Sequence, residues 1–343
     1  LRFNEIFKAT DLALQLQLGH VSVQRHANNR LFIYNYTPKA QYAQEWNDVT
    51  INTRGLIVNV AGEVVARPFP KFFNLEEIEH DITELPLVQE KLDGSLGIIY
   101  HDGEGYAVAT RGSFTSEQAI FATKWLNSTF PDYVQPDGVT TLVEIIYPEN
   151  QIVVNYGDRS ELVFIAAIEN DTGADVALDE IHWWEGPRVG IRESIPLDEL
   201  FERYKRHDVE NDEGVVCLWP AENEPSFRMK IKYPEYVRVH GIVYGFSERK
   251  IWELLAEGKN PEAMIGNVPD EFFELIKRVS WMLRSEAARI TSKAHEDLVT
   301  AQNIQGNRRK VAEAVKQMQY PHLVFALLDG KNIEPMIWKM VKP

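Results

Sequence analysis

One cysteine, Cys217, stands in 343 residues, which excludes a disulfide scaffold and any zinc site built on several thiolates. Long apolar runs are missing as well. The opening stretch LRFNEIFKATDLALQLQLGH is interrupted by Asn4, Glu5, Lys8 and Asp11, and no run approaches the roughly 18 apolar residues a membrane helix needs. A soluble, cytoplasmic protein without a membrane partner is expected. Positive charge is also scarce: 36 Lys and Arg face 51 Asp and Glu, for a net charge of -15. Such a chain cannot hold nucleic acid by its overall field, so any phosphate contacts must come from local patches. What the sequence does have is apolar material, 44% of residues, with 8 Trp, 13 Tyr and 16 Phe. That is the composition of a packed globular protein, and the length favours two domains.

The charge is unevenly spread. Residues 246–343 carry 15 basic and 13 acidic side chains, whereas the first 245 carry 21 and 38. The pattern changes at the same place. From Arg30 to His240 short β-rich runs alternate with turn residues: RLFIYNYT, RGLIVNV, EVVARPF, SLGIIY, GYAVATR, TLVEIIY, QIVVNY, ELVFIAAI and EGVVCLW. Ala61-Gly62, Asp102-Gly103 and Pro148-Glu149-Asn150 supply turn links. One helix is expected over Ser116 to Asn127, where Ala119, Ala122 and Leu126 recur at helical spacing. After Gly245 the apolar residues Phe272, Leu275, Ile276, Val279, Met282, Leu283 and Ile290 mark an amphipathic helix. Further helices are expected from about Arg308 to Gln319 and through the last twenty residues, with Gly330 as a stop. The expectation is an α+β body, 1–245, of antiparallel sheets with flanking helices, followed by an all-helical domain, 246–343.

The residues that could carry chemistry lie in the body. Lys91-Leu92-Asp93-Gly94-Ser95 can be an ordinary turn or a functional lysine. Glu144 and Glu213 stand in apolar runs, where a buried carboxylate is costly unless a metal, a cation or hydrogen-bond donors accompany it. Lys230 and Lys232, two apart in an alternating run, would present two ammonium groups on one strand face. Like charges repel unless an anion lies between them, and a polyphosphate would be such an anion. Tyr34 and Tyr36 share a face and can be packing residues or ligands, and the same choice holds for Phe72, Phe73 and Tyr236. Asp93 can serve the loop geometry. His182-Trp183-Trp184 reads as structural, and Arg308-Arg309-Lys310 as a solvated helix start or an RNA-contact patch.

Taken in order, these motifs resemble the ATP-dependent RNA ligases of the T-even phage RNA ligase 1 family, within the covalent nucleotidyltransferases. The match runs through Lys91 to Ser95, Val143-Glu144, Pro148 to Val153, Glu213-Gly214, and Lys230-Ile231-Lys232 with Tyr236. Tyr34-Asn35-Tyr36, Arg54-Gly55 and Arg67-Pro68 to Leu75 are similar to that family's own N-terminal signature. The resemblance implies that Lys91 attacks the α-phosphorus of ATP to give lysyl-AMP, that AMP passes to an RNA 5′-phosphate, and that an RNA 3′-OH displaces it. At a pH of about 7.4 only about one unperturbed lysine in a thousand is neutral, a handicap of roughly 4 kcal/mol. Cations near Lys91, namely Lys230, Lys232 and a bound Mg²⁺ or Mn²⁺, would relieve it. The resemblance further implies Glu213 as the metal ligand and Glu144 as the ribose partner. Arg54 and Lys71 would be β- and γ-phosphate contacts, and Gly94 would admit the nucleotide. Tyr34, Phe73, Glu90 and Tyr236 would belong to the nucleotide site, along with Arg111, which stands where the family usually has lysine. It also implies RNA with 5′-phosphate and 3′-OH ends as partner, a monomeric enzyme, and a separate kinase or phosphatase that heals the ends. The expected setting is the cytoplasm of a bacterial or phage-infected cell. The helical tail separates this chain from ligases with a C-terminal barrel of strands. A DNA nick-joining ligase and a non-catalytic nucleotide- or RNA-binding module remain the alternatives.

Overall fold

The computed structural model describes residues 1–28, 30–78, 82–205, 211–243, 247–261 and 270–343, the side chains of 241–243 and 270–275 apart. The described chain divides into two compact units, Leu1–His240 and Gly241–Pro343. The expected boundary between 245 and 246 lies outside the described residues.

The first unit is built on β1 (Val21–Arg25), β2 (Leu31–Tyr36), β3 (Arg54–Asn59), β4 (Val64–Ala66), β5 (Phe73–Asn74), β6 (Leu87–Lys91), β7 (Ser95–His101), β8 (Tyr106–Thr110), β9 (Val139–Ile146), β10 (Glu161–Glu169), β11 (Ile191–Arg192), β12 (Gly214–Trp219) and β13 (Phe227–Lys232). They form three sheets, ordered β1-β2-β3-β4, β10-β9-β7-β8 and β11-β6-β12-β13-β5. Every pairing is antiparallel except β13 with β5.

Side-chain alternation explains the layering. Ile98 and Tyr100 on β7 turn toward Leu31, Ile33 and Ile57, joining the first sheet to the second. Ile99, between them, turns the other way to meet Ala122 and Leu126. Those two residues lie on the helix Glu117–Thr129, whose N-cap Ser116 accepts a bond from the Ala119 amide. The outer face of the first sheet is closed by Phe7, Leu12 and Val49. In the third sheet Val88, Val215, Cys217, Met229 and Ile231 form one apolar face against Leu200, Tyr204, Tyr233 and Tyr236. Burial pushes the Cys217 thiol up to about 12, which leaves it a packing residue.

Most of the expected strands are present, but QIVVNY is not one of them. Residues 151–156 form no regular strand. The amides of Val153 and Val154 donate to a single carboxylate oxygen, Asp93 Oδ2, both at 2.8 Å, so they are spent on a side chain rather than on a neighbouring strand.

The second unit holds helices Glu248–Ala256, Asp270–Gln302, Arg308–Val315, Pro321–Leu328 and Glu334–Met340. The described residues beyond Lys232 contain no strand. On the long helix Ile276, Val279, Leu283 and Ile290 are buried as their spacing predicts. Met282 is not part of that stripe and lies 46% exposed, and Phe272 and Leu275 fall outside the described side chains. Gly330, at φ 70°, follows the helix Pro321–Leu328 as the expected stop.

Candidate active site

The centre of the site follows from strand register. β12 lies between β6 and β13, and Gly214 is opposite Lys91 on one side and Lys232 on the other. A Cβ at Gly214 would come within 2.1 Å of the Ile231 carbonyl oxygen, and the residue has φ 154°, so the close approach requires glycine. Glu213, one residue earlier, is thereby set between the two lysines. Its Oε1 lies 2.7 Å from Lys91 Nζ and 2.9 Å from Lys232 Nζ, with the carboxylate side chain only 3% exposed. Burial acts to raise the Glu213 carboxyl pKa, but the two ammonium groups outweigh it and hold the group below the usual carboxylate range. Lys230, on the same strand face as Lys232, is also buried.

The Asp93-Gly94 turn is held from several sides. Tyr236 Oη donates to Asp93 Oδ1 at 2.8 Å, and the Asp93 amide donates to Tyr156 Oη at 2.8 Å. Asp93 thus ties together the loop after Lys91, the segment 153–156 and the helix Pro234–Val243. Tyr236 is buried and part of the apolar cluster, so it serves packing and the Asp93 bond together. A Cβ on Gly94 would meet the Ile145 carbonyl at 2.6 Å and Glu144 Oε1 at 3.2 Å. The close approach that glycine permits here is to β9. Glu144 sits beside this turn, and enclosure by protein pushes its carboxyl up to about 8, an effect that Lys91 opposes and Glu213 and Asp93 reinforce.

A second group of cations lies on aromatic rings. The Arg54 guanidinium is 4.9 Å from the Phe69 ring centre and 5.6 Å from that of Phe72. Its neighbour Gly55 has φ 96° and lies against Ile98 and Arg111, which accounts for the Arg-Gly pair. Lys71 Nζ is 4.7 Å from the Phe73 ring and 5.2 Å from Trp46, and donates to the Phe72 carbonyl at 3.2 Å. Lys71, Phe72 and Phe73 help to line a pocket of about 200 Å³. Arg111 stacks on Tyr36 at 4.8 Å and donates to its hydroxyl at 2.7 Å.

Two residues assigned to the nucleotide site, Glu90 by its backbone, have side chains that make other contacts. Tyr34 packs with Phe7, Leu12 and Val49 on the outer face of the first sheet. Glu90 precedes Lys91 and so faces the opposite side of β6, where its carboxylate pairs with Arg192 at 2.6 Å. Tyr156 and Trp46 also reach these groups, though no motif singles them out. Tyr156 lay within a run read as strand, and Trp46 carried no motif, although its ring ends beside Lys71.

No described helix is long and apolar enough to cross a membrane. A family model described as RNA ligase matches residues 52–236, from just before Arg54 to Tyr236. A protein of Thermovibrio ammonificans named "Putative RNA ligase" is 32% identical over 222 residues, covering 58% of this chain and 56% of that protein. The RNA ligase of Rhodothermus phage RM378 is 22% identical over 344 residues, covering 78% of each. The chain therefore spans about half the length of the first relative and about three quarters of the second. Among solved structures, an archaeal ATP-dependent RNA ligase overlays with a TM-score of 0.47 at 13% identity, over 94% of this chain and 80% of that one. The family matched by the ordered motifs is thus the one found across more than half of the chain, which belongs to the T4 RNA ligase 1 family of RNA ligases.

Proposed function

We propose that this protein is an ATP-dependent RNA ligase that joins RNA 5′-phosphate and 3′-OH ends through lysyl-AMP and RNA-adenylate, with Lys91 as the nucleophile. The observation that carries the reading is Glu213 held between Lys91 and Lys232 on three adjacent strands. Lys91 is the member of the trio most open to solvent, at 23%, so it can meet a ligand. Its Nζ is paired with Glu213, whereas attack on the α-phosphorus requires the amine's lone pair to be free. Activation therefore includes release of Lys91 from Glu213, and Lys232 supplies the charge that then remains beside the carboxylate. Lys230 and Lys232, on one strand face, would counter the charge that grows on the α-phosphate. Arg54 and Lys71 would bind the β- and γ-phosphates and so orient pyrophosphate as the leaving group. Glu144 would meet the ribose, and at neutral pH its raised pKa lets it donate as well as accept a hydrogen bond.

Among the described residues no cluster of three or more His, Cys, Asp or Glu could hold a metal by itself. Mg²⁺ or Mn²⁺ would be bound through one carboxylate, Glu213, together with the nucleotide's own phosphate oxygens. A cation bound there would neutralise phosphate charge. RNA selection is assigned to the helical unit.

The test is sealing. With ATP and Mg²⁺, single-stranded RNA bearing 5′-phosphate and 3′-OH ends should be joined in preference to nicked duplex DNA. Preference for the nicked DNA would contradict the proposal.

A further inference from the structure

We propose that Arg228 is a positioning residue for the Arg54 guanidinium, and that Asp175 fixes Arg228 for that task. The inference rests on the proposed reading of the site as one for a nucleoside triphosphate. Arg228 lies on β13, two residues before Lys230 and four before Lys232, so all three share one strand face. It is less open than Lys91, with a side chain only 5% exposed. Its Nη2 is bonded to Asp175 Oδ1, its Nη1 lies 3.5 Å from the Ser226 carbonyl, and its guanidinium lies 4.6 Å from the Phe69 ring centre. Arg228 borders the pocket that Lys71, Phe72 and Phe73 also line, but its described bonds go to Asp175 and Ser226.

The ring it meets is the one that carries Arg54, 4.9 Å away. Phe69 in turn meets Phe72 edge-on at 5.6 Å, and Phe72 is the second ring beside Arg54. Two guanidinium groups from two different sheets are thus referred to one aromatic side chain. Without Asp175 the buried charge of Arg228 would lack its partner, a costly state. Asp175 reaches it from the chain just beyond β10, where residue 175 bridges back to Ile168. Burial lowers the Arg228 pKa, and the facing Asp175 carboxylate opposes that only in part. A ring flanked in this way has less freedom to turn, and Arg54 inherits its direction from that ring. Arg54 is assigned to the β- and γ-phosphates, which AMP lacks. A defect in its placement should therefore appear with triphosphate and not with monophosphate.

The experiment measures the affinities of wild-type protein, Arg228→Met, Arg228→Lys and Asp175→Asn for AMP and for the α,β-methylene analogue of ATP. Sealing of pre-adenylated RNA serves as a control that uses no triphosphate. All three variants should bind the analogue about tenfold more weakly and AMP within about twofold of wild type, with sealing of pre-adenylated RNA retained. Arg228→Lys belongs with the others because an ammonium keeps the charge but not the planar fork and stack. In an Arg54→Ala background Arg228→Met should weaken the analogue no further, since both changes act through one contact. Equal weakening for both nucleotides, additive losses in that background, or unchanged affinities would overturn the proposal. If Arg228→Met fails to fold, the milder Arg228→Lys and Asp175→Asn carry the same comparison. Wild-type protein that binds neither nucleotide would remove the reading of the site itself. Wild-type binding with an unchanged ratio in the variants would remove this inference alone.

Discussion

Replacing Glu213 with glutamine removes one negative charge and little volume. In the native protein that carboxylate accepts from two ammonium groups, at 2.7 and 2.9 Å, with 3% of the side chain exposed. At an effective dielectric constant of about 20, each pair at roughly 3 Å is worth about 5 kcal/mol of attraction before desolvation is subtracted. The net cost of removing one partner from a buried pair is about 3–5 kcal/mol, because the remaining charge is left uncompensated. Here two charges are left, and they lie close to each other. Lys91, 23% exposed, can turn toward water, whereas Lys232, 11% exposed, has less room, so about 3 kcal/mol is the expected loss. Hydrogen exchange of the Val215–Leu218 amides reads the first unit separately from the helical one. These amides should exchange roughly a hundredfold faster in Glu213→Gln, at about 1.4 kcal/mol per factor of ten. The sign with pH follows from the lowered carboxyl pKa. The wild-type advantage is present above the unfolded value, 4.5, and is lost as pH falls below it through the folded value. A difference below about twofold at pH 7, or one that grows as pH falls below 4.5, would refute the reasoning.

Glu144 has the opposite sign. Its carboxyl, pushed up to about 8 from 4.5, favours the folded state while protonated, so this contribution declines as pH rises from about 4.5 through 8. Carboxyl-carbon NMR of the nucleotide-free protein should show a group titrating near 8 that is absent from Glu144→Gln, and that variant should lose less stability than wild type between pH 6 and 9. Tyr236→Phe removes the 2.8 Å donor to Asp93 Oδ1 and should cost about 1–3 kcal/mol by chemical denaturation. The same change should slow adenylation by loosening the turn that follows Lys91, and an unaltered rate would mean that the turn is held without it.

The parts legible in the sequence were those governed by local rules. Short β-rich runs bounded by turn residues marked β7, β9, β10 and β12, and helical spacing marked the helix Glu117–Thr129. Alternation also set Lys230 and Lys232 on one face, although it could not say that Glu213 would be the anion beside Lys232. That depends on the register of β12 with both neighbours, which is a long-range property. Gln151 to Tyr156 misled because its apolar composition suits a strand, while the amides of Val153 and Val154 are claimed by Asp93, distant in sequence. Glu90 shows the reverse case. Its neighbour Lys91 faces the site, so β alternation alone directs Glu90 to the other side, where Arg192 awaits it. Tyr34 was ambiguous because an aromatic on a strand serves packing and ligand contact equally well, and alternation does not show that it would pack against the outer cluster of the first sheet.

The most direct test of the account is covalent labelling. The protein is incubated with α-labelled ATP and Mg²⁺, denatured, and examined for label that acid releases as AMP. Wild type should carry such label through a phosphoramide bond to Lys91, and Lys91→Ala should carry none while still sealing pre-adenylated RNA. Label on Lys91→Ala equal to that on wild type, or none on a wild-type protein that binds ATP, would contradict the account.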